Sequence, residues 1–533
     1  MPPPAHSTHL MASSHTVLNA PPAGPAPGAI ALAGALLVCG LLALHLLLRG
    51  PHYPFMPDSA SYIQLARSIA DLAPAGAPVP AYQPSPLFPI GFPALLAGFA
   101  RAGIDPRDAA PLLGSLSSLL VPLLLVLIFR RTLGNAISLA IAFIATLSPG
   151  LLWLAGYGLT DLPACALSLA AAGCLLSGRS AGHYVAAGLL AGAGYALRNA
   201  QLALIAALGL LMLYRMLTHS GGFGPALRGA ALFAAGAALP LTPVLFYNFW
   251  TFGSLHPYSM GPSTVGVLDN LRTYVQEFIY DASGFRDAGV RLAWTVPGLL
   301  ACLLAAAAYV RTLIRAWSGM SPAGRELWVL TAGYAVAGAA IVIAARSRYE
   351  WGEFISTRHT LQILPFALAA WLVVPLRTPV GRRLRTLALL LLCASHTVFA
   401  LRLDPQLELQ QARGQTAREV IAAGRPLLCP PHDGAQRLSN WAYLFEIECA
   451  APIRQFSLKA LGTHEATFGQ LVTSLRSAAA ATPAGGALLA MYPGRAWVSA
   501  DNLRFSAEEL DAIRATGSTV RQADGHAFIA HRD

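Results

Sequence analysis

The chain has 533 residues, of which 55% are apolar and only 11% are charged, and its mean hydropathy is +0.54. This composition excludes a soluble globular protein, because apolar stretches of about 20 residues recur along the chain and such stretches cross a bilayer as helices. The formal net charge of +11 comes almost wholly from arginine, since Lys459 is the only lysine. In such a chain basic charge is first a signal of topology, and a nucleic-acid partner is not expected.

The N-terminal region and the apolar runs that follow it predict the membrane part of the fold. Residues 1–27 are rich in proline, alanine, serine and histidine without arginine or lysine, which predicts a disordered cytoplasmic tail. Residues 28–402 are predicted to be an all-α polytopic membrane domain with about eleven transmembrane helices. The predicted spans are 28–48, 110–129, 136–153, 159–177, 184–197, 200–217, 229–249, 291–311, 326–345, 359–376 and 386–402.

Alternate connections between these spans are short and rich in arginine, which predicts their side of the membrane. They hold Arg130, Arg131, Arg179, Arg215, Arg228, Arg311, Arg315, Arg325, Arg377, Arg382, Arg383 and Arg385. The positive-inside rule places this set in the cytoplasm. The arginine-free tail and Arg49 argue against this orientation, but the later connections outweigh them. The segments predicted to face outward are 49–109, 153–160, 250–290, 346–358 and everything after Leu403.

The first outer loop, residues 49–109, is unusually long for a connection between spans. It contains the stretch PDSASYIQLARSIA, in which Asp58 follows Pro57 at a predicted helix N-cap. Arg67 is predicted to point away from the apolar face of this helix, which suits a helix lying on the membrane surface. That apolar face is formed by Tyr62, Leu65, Ile69 and Leu72. Capping alone explains Asp58, and capping is also compatible with a chemical role.

Several polar residues are predicted to lie near the same outer face. Asp161 opens the fourth span in GYGLTDLPACALSL, and Arg198 with Asn199 interrupts the apolar run AGAGYALRNAQLAL. The pair Arg198 and Asn199 marks either an outward turn or a polar cavity, and charges at a membrane rim are functional candidates. The exit of span seven and the mouth of span ten add Tyr247, Asn248, His256, Tyr258, Arg346, Arg348, Glu350, Glu353, Arg358 and His359.

Two carboxylates, Asp58 and Asp161, and two cations, Arg198 and Arg358, form a chemical set on this face. A carboxylate can take a proton from an attacking hydroxyl or orient that hydroxyl. Arginine can hold a phosphate through two hydrogen bonds and stabilise the charge that the phosphate gains on leaving. Transfer of a sugar from a lipid phosphate to an acceptor requires this combination.

The order of these motifs resembles that of the C-type glycosyltransferases (GT-C), particularly the bacterial branch near the protein O-mannosyltransferases and the lipid A aminoarabinose transferases. Asn199 stands where that family usually has proline, His359 stands in an aromatic position, and Ser59 replaces the second acid of a common acidic pair. The resemblance covers about residues 28–402 and rests on PDSASYIQLARSIA, YQPSPLFPIGFPALLAGF, LTDLPACALSLAA, YALRNAQLAL, YNFWTFGSLHPYS and STRHTLQILPFALAAW.

The resemblance implies an inverting glycosyltransferase at the outer face of the bacterial inner membrane, with a polyprenyl-phosphate sugar donor and a glycan, lipid or protein acceptor. It implies Asp58 as the general base and Asp161 as a second carboxylate that orders the site or a divalent cation. The missing acidic pair leaves the metal requirement open. Arg358, with His359 and Arg198, is implied to bind the donor phosphate. Candidate substrate contacts are Tyr62, His256, Tyr258 and Glu353.

Hydropathy falls after Leu403, and residues 403–533 alternate short apolar runs with helix-like stretches such as SAEELDAIRAT. This pattern predicts a small extracytoplasmic α/β domain. Within it, Cys429 and Cys449 are predicted either to form a disulfide or to remain free thiols.

Two other function classes remain open from the sequence. A transporter is typically built from repeats with charged or broken helices at the bilayer midplane, and no convincing repeat is visible. A polysaccharide polymerase or ligase also has many spans and large outer loops, but it does not need the aspartate of the first loop.

Overall fold

The computed structural model describes residues 27–48, 55, 57–70, 86–218, 223–257, 261–350 and 355–402, together with short pieces of the C-terminal region. Up to residue 402 the described chain is helical, which confirms the predicted all-α class of this part. The helices are α1 (Pro27–Leu48), α2 (Pro57–Ile69), α3 (Gly91–Arg101), α4 (Pro106–Leu133), α5 (Asn135–Thr146), α6 (Pro149–Leu154), α7 (Asp161–Ser177), α8 (Ala181–Leu197), α9 (Leu202–Thr218), α10 (Phe223–Phe252), α11 (Val267–Ser283), α12 (Arg286–Trp294), α13 (Val296–Ala316), α14 (Pro322–Arg348), α15 (Thr357–Thr360), α16 (Leu364–Val373) and α17 (Pro379–Leu401).

Six helices of the described chain are long and apolar enough to cross a membrane. Their bounds are Pro106–Leu133, Asn199–Thr218, Phe223–Phe252, Val296–Gly319, Pro322–Arg348 and Pro379–Leu401. Shorter apolar helices occupy Leu32–Leu47, Asn135–Thr146, Asp161–Ser177 and Leu364–Val373. The chain is therefore a multi-pass membrane protein, while the number of eleven crossings stays a prediction.

Three predicted spans differ from the helices in the structure, and the tenth, 359–376, is divided between α15 and α16. The third predicted span, 136–153, is divided between α5 and α6 because Pro149 starts a new helix, and the hydroxyl of Ser148 accepts the N–H of Leu151 at 3.4 Å. The eighth predicted span starts inside α12, and α13 begins only after Thr295 caps it by accepting the N–H of Gly298 at 3.2 Å.

Glycines bring α8 and α10 into close contact. A Cβ on Gly188 would lie 2.1 Å from the carbonyl oxygen of Phe233, and one on Gly192 would lie 2.5 Å from that of Ala237. On the opposite helix, a Cβ on Gly236 would lie 2.4 Å from the carbonyl oxygen of Val185. Small residues at such spacing let helix backbones approach each other closely in a membrane bundle. This packing fixes the end of α8, which leads into Arg198.

The first loop folds against the bundle through α2 and α3. Tyr62 on α2 is 3% exposed and packs edge-on against Phe92 on α3, with ring centroids 5.2 Å apart. Arg67, which was predicted to lie off the apolar face, is nevertheless buried, since its side chain is 6% exposed. Arg67 pairs with Asp105, the N-cap of α4, at 3.4 Å, because α4 covers a second side of α2. The helix is thereby held at the mouth of the bundle.

The described pieces of the C-terminal region form one mixed sheet in the order β2-β1-β3-β5-β4. Its strands are β1 (Leu427–Leu428), β2 (Cys449–Ala450), β3 (Leu488–Leu489), β4 (Ser518–Ala523) and β5 (His526–His531). The α/β domain as a whole stays a prediction. Cys429 and residues 1–26 of the predicted tail lie outside the described residues, so the disulfide question and the tail are untested.

Candidate functional site

Two aspartates and two arginines meet at one end of the helical bundle. Nη2 of Arg358 donates to Oδ2 of Asp58 at 2.7 Å, and Nε of the same arginine donates to both carboxylate oxygens of Asp161 at 3.1 Å. Nη1 of Arg198 donates to Oδ1 of Asp161. We call these four residues the acid–arginine cluster. They come from positions up to 300 residues apart in the chain.

Each member of the acid–arginine cluster lies where a helix begins or ends. Asp161 is the first residue of α7, and α2 begins at Pro57, so that Asp58 lies in its first turn and not at the predicted N-cap. A helix N-terminus carries partial positive charge, which stabilises a carboxylate in the first turn. Arg198 occupies the extended link after α8, and Arg358 lies in the one-turn helix α15. The link at Arg198 is therefore a turn between helices and also a polar contact.

Exposure within the acid–arginine cluster increases from one side to the other. The side chain of Asp161 is 0% exposed, that of Arg358 8%, that of Arg198 16% and that of Asp58 29%. Two negative and two positive charges balance, which matters because leaving a buried charge without its partner costs about 3–5 kcal/mol. Asp58 and Arg198 therefore form the edge that a ligand can reach.

Tyr62 and His359 lie beside the acid–arginine cluster. Tyr62 contacts the rings of Phe88 and Phe92, and burial raises the pKa of its phenol. Nδ1 of His359 accepts the N–H of Ser356 at 3.2 Å, which closes a capping box over α15. His359 thus holds the turn that carries the key arginine. The roles predicted for both residues in substrate binding stay predictions.

The other predicted substrate contacts belong to the segments after span seven and before span ten. His256 is exposed, and its Nδ1 lies 3.1 Å from the hydroxyl oxygen of Tyr195 on α8. This contact joins the segment after α10 to the end of α8, three residues before Arg198. Tyr258 and Glu353 lie outside the described residues, so their predicted roles are untested.

The acids of the cluster do not form a ligand set for a metal ion. In the described ranges there is no group of three or more His, Cys, Asp and Glu side chains that could hold one. Both Asp58 and Asp161 are held by arginine, and a cation would have to compete with these contacts. The divalent cation allowed by the resemblance stays a prediction, and the arginines supply the positive charge in this arrangement.

Sequence reasoning missed a chain of buried amides behind the acid–arginine cluster. Nε2 of Gln362 donates to the main-chain carbonyl of Asp161 at 2.8 Å, and Nε2 of Gln201 donates to Oε1 of Gln362. The hydroxyl of Ser168 donates to Oε1 of Gln201 at 2.5 Å, and that of Tyr334 donates to Oε1 of Gln362 at 3.1 Å. Glutamine is neutral, and its spacing of three and four residues from the arginines gains meaning only when α7 is known to pack between these segments.

A second group missed by sequence reasoning surrounds Asp281 on α11. Asp281 is fully buried and accepts the N–H of Gly150 at 2.8 Å and the hydroxyl of Thr360 at 3.2 Å. Its main-chain oxygen lies 3.1 Å from Nε2 of His396. Burial raises the pKa of the Asp281 carboxyl to about 7. These contacts join α6, α11, α15 and α17 around the turn that carries Arg358.

An ion-pair group at the opposite end of α7 involves the arginine-rich connections. Glu326 accepts from Nη2 of Arg179 at 2.6 Å and from Nη2 of Arg215 at 2.7 Å. Arg179 follows the last turn of α7, and Asp161 is its first residue. Since an α-helix rises 1.5 Å per residue, about 25 Å separates the two ends. The acid–arginine cluster and the arginine-rich connections therefore lie at opposite ends of the bundle.

Comparison with known proteins rests on solved structures, because no family model and no curated protein sequence matches the chain. ArnT from Cupriavidus metallidurans bound to undecaprenyl phosphate is 14% identical, with a TM-score of 0.50 over 94% of this chain and 97% of that chain. The apo state of that ArnT gives a TM-score of 0.45 at 14% identity, with the same coverage of both chains. The Saccharomyces cerevisiae Pmt1-Pmt2 O-mannosyltransferase complex bound to its sugar donor is 17% identical over 48% of this chain and 38% of that chain, with a TM-score of 0.32.

The likeness to ArnT extends over nearly the whole of both chains. At this low identity it concerns the fold. The chain therefore shares its fold with this ArnT, in agreement with the fold that the order of its motifs implied.

Proposed function

We propose that the chain is a membrane glycosyltransferase that moves a sugar from a polyprenyl-phosphate donor to an acceptor hydroxyl. The observation that carries the proposal is Arg358 bound at once to Asp58 and to Asp161, at the end of the bundle opposite the arginine-rich connections. The ArnT structure of similar fold contains undecaprenyl phosphate, which supports a polyprenyl phosphate as the lipid part of the donor.

The arginines of the acid–arginine cluster are suited to hold the donor phosphate. Arg198 is the more exposed of the two, so a phosphate at the edge of the cluster reaches it first. A guanidinium group can bind two phosphate oxygens in parallel. Arg358 lies one residue before His359 on the same turn, and we assign His359 to the same phosphate.

We assign Asp58 the role of general base. It is the more exposed acid, whereas Asp161 is fully buried and orders Arg358 and Arg198. In the transfer, the acceptor hydroxyl oxygen attacks the anomeric carbon and its proton passes to Asp58. The bond between that carbon and the phosphate oxygen breaks, and the electron pair leaves with the lipid phosphate. Attack opposite the leaving phosphate inverts the anomeric carbon, and the arginines stabilise the charge released.

We place this reaction at the outer face of the bacterial inner membrane, with the C-terminal region on the same side. The acceptor is a hydroxyl of a glycan, a lipid or a protein. Tyr62 and His256, together with Tyr258 and Glu353, are proposed to contact the substrates.

The proposal is tested with the purified chain and a panel of undecaprenyl-phosphate-linked sugars, with envelope extract as the source of acceptor. Release of undecaprenyl phosphate reports transfer whichever acceptor is used. Asp58→Asn is expected to slow this release at least about 100-fold, because general-base catalysis contributes at least about that factor. Its melting temperature is expected to stay close to that of the wild type.

The matched control is Asp108→Asn, which removes an exposed carboxylate from the first turn of α4 without touching the acid–arginine cluster. It is expected to release lipid phosphate at the wild-type rate. Full activity of Asp58→Asn would reduce Asp58 to a structural residue and overturn the proposed mechanism.

A further inference from the structure

We propose that Gln362 and Gln201 are positioning residues, which set the Asp161 carboxylate for transfer by holding the first two turns of α7. The proposal rests on the proposed function and extends it to residues that do not touch substrate. Gln201 is fully buried and Gln362 is 8% exposed, so both side chains are shielded from solvent. Both act through the backbone and side chains of α7.

The direction of every hydrogen bond in the amide chain follows from one main-chain carbonyl. The carbonyl oxygen of Asp161 can only accept, so Gln362 must turn its Nε2 toward it. Oε1 of Gln362 then faces Gln201, which must present its own Nε2 as the donor. Oε1 of Gln201 is left to face the hydroxyl of Ser168, which donates to it at 2.5 Å. One acceptor thus fixes the orientation of both amides.

The two arginines and the two glutamines hold α7 in matched pairs. Arg358 binds the carboxylate of Asp161, and Gln362, four residues later, binds the main-chain carbonyl of the same residue. Arg198 binds that carboxylate from the other side. Gln201, three residues after Arg198, accepts from the hydroxyl of Ser168, which lies seven residues after Asp161 on α7. Each of the two segments therefore contacts α7 once at the carboxylate and once at a neutral group.

These neutral contacts restrain the part of the site that ion pairs alone leave free to rotate. A carboxylate held only by two arginines can pivot with the first turn of its helix, because the first N–H groups of a helix have no partners within it. Gln362 ties the carbonyl of that first residue to the segment between α15 and α16, and Gln201 joins Gln362 to Ser168, seven residues further along α7. The Asp161 carboxylate and Arg358 thus keep one relative position, which sets where Arg358 meets Asp58.

The test replaces each glutamine by methionine, which has a similar shape and no hydrogen-bonding amide. Gln362→Met is expected to lower kcat for release of undecaprenyl phosphate about 10- to 100-fold, since a displacement near 1 Å in a catalytic group costs up to about 100-fold. The KM for the lipid donor is expected to change less than about threefold, because the phosphate-binding arginines remain. Gln201→Met is also expected to lower kcat while leaving KM nearly unchanged, and its loss of kcat is expected to be smaller.

A merely structural role is distinguished by a double-mutant cycle and a matched control. Gln362→Met combined with Arg358→Lys is expected to lose little more kcat than Arg358→Lys alone, because both act through Asp161. The control Thr331→Val removes another fully buried hydroxyl, whose acceptors in the described structure, the carbonyls of Leu327 at 2.7 Å and Trp328 at 3.4 Å, both belong to α14. This variant should keep the wild-type kcat.

The outcomes separate this inference from the proposed function. Wild-type kcat in a folded Gln362→Met or Gln201→Met, with an active wild type, would overturn the inference and leave the proposed function standing. An equal fall in kcat for Thr331→Val, or strictly multiplicative losses in the double mutant, would also overturn it. If Gln362→Met does not fold, Gln201→Met decides in the same way. A wild-type chain that releases no lipid phosphate would contradict the proposed function itself.

Discussion

At the level of single residues, Arg358 is the residue on which the site depends most. Its side chain binds two carboxylates from helices that begin about one hundred residues apart in the chain, at Pro57 and at Asp161. One planar guanidinium with several N–H groups can serve two acids at once, and a point charge such as lysine does so poorly. The acid–arginine cluster therefore needs arginine at this position for geometry as well as for charge.

Substitution of Arg358 separates the contribution of its charge from that of its geometry. Arg358→Gln leaves the buried Asp161 with less positive charge, which is expected to destabilise the fold by about 3–5 kcal/mol. Arg358→Lys keeps the charge and is expected to melt closer to the wild type while losing most transfer activity. Thermal unfolding in detergent measures the stability, and release of lipid phosphate measures the transfer activity. The control is Arg228→Gln, which replaces an exposed arginine on α10. A stable, active Arg358→Gln would contradict the importance given to the ion pairs.

The charged members of the site could be predicted from the sequence, and its neutral members could not. Asp58, Asp161 and Arg198 stand out because charges are rare in an apolar chain and costly within a membrane. Gln201 and Gln362 become visible only when α7 is known to pack between their segments. Their importance comes from tertiary packing, on which hydropathy carries no information.

At the level of elements, the one-turn helix α15 is held in place by buried groups of α11. Asp281 accepts the hydroxyl of Thr360 and the N–H of Gly150, so α6 and α15 share one carboxylate. There is no room for a side chain at Gly150, since a Cβ would lie 2.8 Å from the carbonyl oxygen of Thr357 and 3.0 Å from Oδ1 of Asp281. The position of Arg358 thus depends on contacts made by its neighbours on the turn.

The buried Asp281 predicts a pH dependence of stability. Its folded-state pKa is raised to about 7 from the ordinary value of 3.8, so between these values the folded chain holds a proton that the unfolded chain has lost. Stability therefore falls as pH rises from about 4 to about 7 and levels off above that range. Asp281→Asn is expected to make this slope shallower, because an amide does not titrate.

Melting temperature measured from pH 4 to pH 8 tests this expectation. Asn fits the site, because its oxygen can accept from Gly150 and Thr360 can turn its hydroxyl to the carbonyl of Thr357, 3.2 Å away. Part of the slope is expected to remain, since burial also raises the pKa of Glu277 one turn earlier. An unchanged slope in Asp281→Asn would show that Asp281 does not titrate in this range.

The start of a helix can be predicted from the sequence, whereas the number of its covered sides cannot. The break between α5 and α6 coincides with Ser148 and Pro149, which are ordinary signals for the start of a helix. The burial of Arg67 was not predicted, because periodicity identifies one buried face, while α2 is covered on two sides by α3 and α4. A second covered side depends on how the loop folds back.

At the level of the whole molecule, the two ion-pair groups define the two ends of the bundle. Glu326 with Arg179 and Arg215 lies at one end, and the acid–arginine cluster lies at the other. The positive-inside rule predicts that the Glu326 end is cytoplasmic. Substrates delivered on the outer leaflet would then reach the end that contains Asp58.

Cysteine labelling tests this orientation in spheroplasts of cells expressing a cysteine-free variant. Ala102→Cys lies in the exposed turn after α3 and is expected to react with a membrane-impermeant maleimide. Ser180→Cys, exposed between α7 and α8, is expected to react only after the membrane is permeabilised. The reverse labelling pattern would contradict the predicted topology and would mean that the acid–arginine cluster faces the cytoplasm.

The most direct measurement is an experimental structure of the chain with undecaprenyl phosphate bound. We predict that the phosphate lies within hydrogen-bonding distance of Arg198 or Arg358, with Asp58 on its exposed side. A phosphate found at the Glu326 end, or anywhere out of reach of both arginines, would contradict the assignment of the acid–arginine cluster as the transfer site.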